Sequence, residues 1–167
     1  MRTIAPNQYY YPDSDIHITV MSIISCYDGF DLSRIDLSKY VDIIKKSIAK
    51  TSEIKIQFKG LTASPLCIMV QGFMANESLT EIRDHLRFHF KNSDLQHSLD
   101  QRYAIQTAHA TIVRFSNKIV NKTAFLSTVE AFKNCNFGTF KVDQLELVFN
   151  DWYQKEQHVK TLYRFNL

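Results

Sequence analysis

Two stretches decide how this chain reads: Asp15-Ile16-His17-Ile18-Thr19-Val20 near the start, and Ala108-His109-Ala110-Thr111-Ile112 past the middle. Each has the character of a β-strand, and side chains alternate faces along a strand. His17 and Thr19 therefore share one face, as do His109 and Thr111, while Ile16, Ile18 and Val20 take the opposite one. The expectation is a strand over 15–26 and a second over 103–115, each presenting an imidazole beside a hydroxyl.

Outward from these stretches, Tyr9-Tyr10-Tyr11-Pro12 and the polar Asp13-Ser14-Asp15 read as an extended lead-in. After the first strand, Leu37, Tyr40, Val41, Ile44 and Ile48 recur at helical spacing and predict a helix over 37–50. Ile54, Ile56 and Phe58 alternate with Lys55, Gln57 and Lys59, and the apolar run Leu66 to Val70 follows, which predicts a hairpin. Ser78-Leu79-Thr80-Glu81 has the form of a capping box, opening a helix over 78–91 with the stripe Leu79, Ile82, Leu86 and Phe90. Residues 92–101 read as a polar loop. Beyond the second strand come a helix over 121–134, one strand from Phe140 to Phe149, a loop over 150–157 and a last strand over 159–167. The order strand, helix, hairpin thus occurs twice. Residues 15–73 and 103–167 are read as lobe-forming repeats within a single domain, 1–167, connected by the helix at 78–91.

With 167 residues, 45% hydrophobic and 22% charged, the chain can bury a full core, and its composition excludes disorder. Twenty Lys and Arg against seventeen Asp and Glu give a formal charge of +3, which permits a polyanionic ligand but falls short of a duplex-binding face. Cys26, Cys67 and Cys135 form no CxxC pair and read as reduced thiols. MRTIAPNQYYYPDSD has no apolar core of signal-peptide length, and no run approaches membrane-spanning length. A cytoplasmic protein with no membrane association and no obligate protein partner is the expectation.

Two H-x-T-x patterns at equivalent points of two matching halves resemble the two-histidine (2H) phosphoesterase superfamily. Its members include RNA 2',3'-cyclic phosphodiesterases, 2'-5' RNA ligase-like proteins and enzymes that cleave 2',5'-linked oligoadenylate. The resemblance rests on His17, Thr19, His109 and Thr111 and extends through the hairpin IQFKGLTASPLCIMV and the closing GTFKVDQLELVF to LYRFNL. It implies an α+β, pseudo-two-fold bilobal fold, with two antiparallel-dominated sheets around a central cleft, helices outside, and one H-x-T strand in each lobe. It also implies a phosphodiesterase needing neither metal nor cofactor, acting on a nucleotide or RNA end with a 2',3'-cyclic phosphate or 2',5' linkage, with ligation as the reverse reaction.

The chemistry fits the residue types. Breaking a phosphodiester requires one group to take a proton from the nucleophile and another to give one to the leaving oxygen, and imidazole serves both roles near neutral pH. His17 and His109 are the expected catalytic pair; their order as acid and base stays open, with a lean to His109 as base. Thr19 and Thr111 would donate to the non-bridging phosphoryl oxygens. Arg114 is a further phosphate contact, although regular alternation places it opposite His109, so that a twist or bulge is needed. Tyr11, Tyr103 and Trp152, with Tyr153, are base-stacking candidates. His85 and His89, spaced i, i+4 with His97 nearby, have zinc-like spacing but no completing ligand, so a solvated or partly buried pair is expected and no metal site is assigned. His158 reads as structural or exposed. Two other functions fit the same residues: hydrolysis of cyclic oligonucleotide signals or other small cyclic phosphates, and non-catalytic binding of RNA ends or nucleotides.

Overall fold

The computed structural model describes every residue except Cys26, Asp28, Arg102, Tyr103 and Trp152. It is α+β, with helices α1 (Leu37–Ile48), α2 (Ser78–Lys91) and α3 (Lys122–Ala131). Strands β1 (Tyr9–Tyr10), β2 (Ile54–Ala63), β3 (Cys67–Met74), β4 (Ala108–Arg114) and β5 (Asn136–Val142) form an antiparallel sheet ordered β1-β4-β3-β2-β5. A second sheet pairs β6 (Gln144–Phe149) with β7 (Lys160–Asn166).

Three expectations need correction. The strand expected over 15–26 does not form; its only sheet-like link among the described residues is an antiparallel bridge from Ile18 to Ala110. Alternation reveals which face a side chain takes, but a strand also needs a neighbour for its backbone groups. Here those groups go elsewhere. The carbonyls of Thr19 and Val20 accept from the Arg83 side chain at 3.2 and 2.9 Å, the Ile23 carbonyl accepts from Ser98 N at 2.8 Å, and Ser25 N donates to Ser98 Oγ at 2.6 Å. The single strand expected from Phe140 to Phe149 is two, broken at Asp143 and divided between the two sheets. The capping box does not close either: Glu77 is the N-cap of α2, and Ser78 Oγ bonds Ser52 Oγ at 2.6 Å instead.

The helices bury the stripes that the sequence shows. Tyr40, Val41 and Ile44 of α1 meet Leu79, Ile82, Leu86 and Phe90 of α2 in one core, with Ile54 and Ile56 of β2 and Phe165 of β7. A second core gathers Leu61, Ile68, Val113, Phe125 and Val129 around α3. Asn121 caps α3 by accepting from Ala124 N at 3.0 Å.

The sequence halves do not coincide with the packing units. Hairpin β2–β3 belongs to the first half, yet it pairs with β4 and β5 of the second. Hairpin β6–β7 belongs to the second half, yet Leu145, Leu147 and Phe165 pack in the core that holds Ile18, Val20 and α1. Phe30 also stacks on Phe149 with centroids 5.7 Å apart, and Lys45 Nζ sits 4.9 Å from the Tyr163 ring. Each His/Thr segment thus packs with the hairpin of the other half of the sequence.

Both cores lie against one face of the five-stranded sheet, and two bulges make that possible. In β2 an extra residue between Phe58 and Leu61 keeps Ile54, Ile56, Phe58 and Leu61 on the covered face. Gly60 sits there at φ +76°, its N–H donating to Cys135 O at 2.8 Å, and a Cβ would collide with the Lys133 carbonyl oxygen. Gly138 also has a positive φ, +101°, but faces open space. Gly60→Ala is therefore expected to lower stability by about 2–4 kcal/mol and Gly138→Ala by about 1 kcal/mol. Urea-denaturation midpoints of the two variants check the difference.

Candidate active site

The second bulge shapes the site. Along β4 and β3 the register runs His109 opposite Gln71 and Thr111 opposite Met69, then Val113 opposite Ile68 and Arg114 opposite Cys67. One residue of β4, Ile112, is thus extra. It turns inward with Val113 to the core around α3, and the alternation beyond it is reversed. Residues directly opposite in an antiparallel pair share a face. Arg114 therefore emerges on the same face as Thr111 and His109, which regular alternation would have denied it.

At the other edge of β4, Tyr9 pairs with Arg114 and Tyr10 with Val113, and Tyr11 N donates to Ile112 O at 3.0 Å. Tyr10 points to the core, its hydroxyl on the Ala5 carbonyl at 2.9 Å. Tyr9 and Tyr11 lie on the polar face, their centroids 5.0 Å apart. The chain then leaves the edge through a short 3-10 turn, Asp13–Asp15, and returns at the Ile18–Ala110 bridge. Because the bridge is antiparallel, His17 comes opposite Thr111 and Thr19 opposite His109. All four motif residues thus share one face, with the two histidines on a diagonal across the bridge. The two motifs meet side by side at a backbone bridge.

Each imidazole is oriented through Nδ1. His17 Nδ1 lies 2.7 Å from the Asp15 carbonyl, an acceptor only, so the proton is on Nδ1 in the neutral ring and Nε2 is left for chemistry. His109 Nδ1 lies 3.2 Å from Thr107 Oγ1, a hydroxyl that can donate or accept, so Nε2 is the basic nitrogen when that hydroxyl accepts from Nδ1–H. Burial, then the positive charges of Arg83 and His17, push the His109 pKa below its ordinary value.

The structure also places the remaining sequence candidates. Arg114 Nε donates to Tyr11 Oη at 3.0 Å, and its guanidinium lies 5.9 Å from the Tyr153 ring. Tyr11 is only 5% exposed, with its ring edge-on to His17 at 6.3 Å, so it walls that imidazole rather than offering an open platform. Tyr153 packs on Tyr9 at 4.9 Å, and Lys155 Nζ lies 5.4 Å from the Tyr153 ring and 5.5 Å from the Tyr9 ring. Tyr103 and Trp152 lie outside the described residues. His85 and His89 both turn to Ser47 of α1, His85 Nδ1 donating to its carbonyl at 3.1 Å and His89 Nδ1 bonding its hydroxyl at 2.9 Å, which ties α2 to α1. His158 Nδ1 meets Asp151 Oδ2 at 2.9 Å.

Two residues near the site escaped the sequence reading. Asp15 holds the loop after β6 in place: its Oδ1 accepts from Glu156 N at 3.1 Å and Ser14 Oγ at 2.9 Å, and its Oδ2 from Tyr9 Oη at 3.3 Å. These bonds, the Glu156 N–H first, lower its pKa. Nothing in its local sequence marks a contact so distant along the chain. Arg83 is 1% exposed and does carry a signal: it stands four residues after Leu79 and three before Leu86, inside the apolar stripe of α2, where an unpaired charge is costly. Of the hollows in the described surface, one of about 630 Å³ along Leu126, Ser127, Glu130 and Ala131 holds none of the motif residues. Another of about 320 Å³ runs from Thr80, Arg83 and Arg87 to Ile105 and Gln106, just before β4.

Compared with protein-family models and with curated proteins, the chain has no match in either set.

A depressed histidine pKa couples to stability. His109 in the folded chain resists protonation below the ordinary 6.5, so its contribution is complete above that pH and declines as pH falls from 6.5 through the folded value. Urea midpoints measured from pH 7.5 to 5 should show a smaller decline in His109→Gln than in the unaltered protein.

Proposed function

We propose that this protein is a phosphodiesterase of the two-histidine type, acting on a 2',3'-cyclic phosphate or a 2',5'-linked nucleotide or RNA end without a metal. The observation that carries this reading is the Ile18–Ala110 bridge, which gives His17, Thr19, His109 and Thr111 one common face. Binding alone would not call for two imidazoles with both Nδ1 atoms engaged and both Nε2 atoms left over. The polar face that they share with Arg114 and Gln71 suits an anionic, hydrogen-bonding substrate.

On a cyclic phosphate each imidazole exchanges one proton with a reacting oxygen. His109, held neutral, takes a proton from water at Nε2 as the water oxygen bonds to phosphorus. The bond from phosphorus to one ribose oxygen breaks, and the protonated Nε2 of His17 gives its proton to that oxygen, leaving a phosphomonoester. The Thr19 and Thr111 hydroxyls donate to the non-bridging oxygens, where charge is held in the transition state. Arg114, aligned by Tyr11, adds a cation on the same side.

A panel of 2',3'-cyclic mononucleotides, 2',5'-oligoadenylates, cyclic dinucleotides and RNA with cyclic phosphate ends, incubated with excess EDTA, tests the proposal. Turnover is expected to persist in EDTA, to follow a bell-shaped pH profile and to fall by about 10²–10⁴-fold in His17→Ala and in His109→Ala. Tight binding without turnover on every substrate would instead make the protein a nucleotide-binding module, and loss of all turnover on chelation would remove the two-imidazole step.

A further inference from the structure

We propose that Arg83 is the positioning residue of this site, fixing the His17 and His109 segments to one another through their backbones. The inference rests on the two-histidine reading above and extends it to a residue outside both motifs. Arg83 leaves the middle of α2 and reaches both segments at once: its Nε donates to Val20 O at 2.9 Å, and its Nη2 donates to Thr19 O at 3.2 Å and to Thr107 O at 3.0 Å. Thr19 and Val20 close the first motif, and Thr107 is two residues ahead of His109 and bonds its ring. One planar, rigid fork thus spans the His17 segment and the approach to β4, which a single backbone bridge connects.

The charge is as notable as the geometry. Among the described residues, all three hydrogen bonds of Arg83 go to neutral carbonyls, its Nη1 is buried without a hydrogen-bond partner, and no carboxylate pairs with it. Its neighbour Arg87 has taken Asp84 and Asp100, at 2.9 and 2.7 Å. A guanidinium does not give up its proton at physiological pH, so a whole positive charge remains in the protein interior. For packing alone, Leu or Met at this place in the stripe would serve. A charge retained there, against both segments of the site, has two uses: it disfavours a second positive charge on His109, keeping that ring in the form a general base needs, and it attracts an anion to the face above. Among the described residues, the charged or titratable groups that bear on His109 are Arg83 from α2 and His17 from the bridged segment, and Gln71 from β3 and Thr107 are uncharged neighbours.

The experiment uses the full chain and three readouts: thermal melting, NMR titration of the histidine rings without substrate, and turnover of a 2',3'-cyclic nucleotide. In Arg83→Gln the His109 titration is expected to move up, and kcat to fall by about a hundred-fold with KM changed far less. Arg83→Lys keeps the charge but loses the fork, so its His109 should titrate close to the unaltered protein while kcat is only partly restored. A folded Arg83→Gln whose His109 titration and kcat match the unaltered protein overturns the proposal. If Arg83→Gln does not fold, Arg83→Lys and the unaltered protein decide: full kcat in Arg83→Lys, or a His109 that titrates at or above 6.5 in the unaltered chain, overturns it equally. Should the unaltered protein turn over no substrate while Arg83→Gln still shifts His109, the phosphodiesterase reading fails and the link from Arg83 to His109 stands.

Discussion

A bridge of backbone hydrogen bonding between Ile18 and Ala110 brings together two segments more than ninety residues apart in the chain. Lone bridges are weak, because an isolated pair of strands loses conformational entropy with little burial in return. This one is held from both sides. Ile18 packs in the core with α1 and α2, and the guanidinium of Arg83 joins the carbonyls on either side of it. Every property of the candidate site, from the diagonal of the histidines to the alternating hydroxyls, depends on that register.

Around the bridge, the polar face is assembled from departures from regular structure. The extra residue Ile112 reverses the alternation of β4 and brings out Arg114; the 3-10 turn Asp13–Asp15 interrupts the edge strand so that Tyr11 can stand beside His17. The aromatic and basic side chains Tyr9, Tyr11, Tyr153, Arg114 and Lys155 then close one side of the site, with Asp15 anchoring the loop that delivers Tyr153 and Lys155. Bulges and turns of this kind cost ladder hydrogen bonds, and they recur where a side chain must be re-aimed.

Much of this was legible in the residues and some was not, for physical reasons. The three helices are marked by apolar stripes such as Leu79, Ile82, Leu86 and Phe90, and the hairpin β2–β3 by alternation. The sharing of a face by His17 with Thr19 and by His109 with Thr111 follows from parity alone. What parity leaves open is the neighbour. Residues 15–25 alternate like a strand, yet their carbonyls find Arg83 and Ser98, partners some sixty to eighty residues away that no local pattern announces. The need for a bulge before Arg114 could be stated from the sequence, whereas its place at Ile112 depends on register against β3. The break at Asp143 has no local mark, because Phe140 through Phe149 keeps its apolar character while changing sheets.

The exchange of hairpins has a consequence for how the chain comes into being. During synthesis the N-terminal half emerges with its own hairpin, β2–β3, but the strand that β3 needs, β4, is made only after α2 and the following loop. The stretch around His17 waits longer still, since the apolar partners it shares with α1 include Phe165, almost the last residue of β7. Neither half can therefore complete its core by itself, and vectorial folding, one half before the other, is closed to this topology. The pairing of the two His/Thr segments is itself a distant contact, of the kind that is slow to form. A ribosome-bound chain short of β7 would expose the apolar side of Ile18 and Val20, the surface a chaperone would recognise.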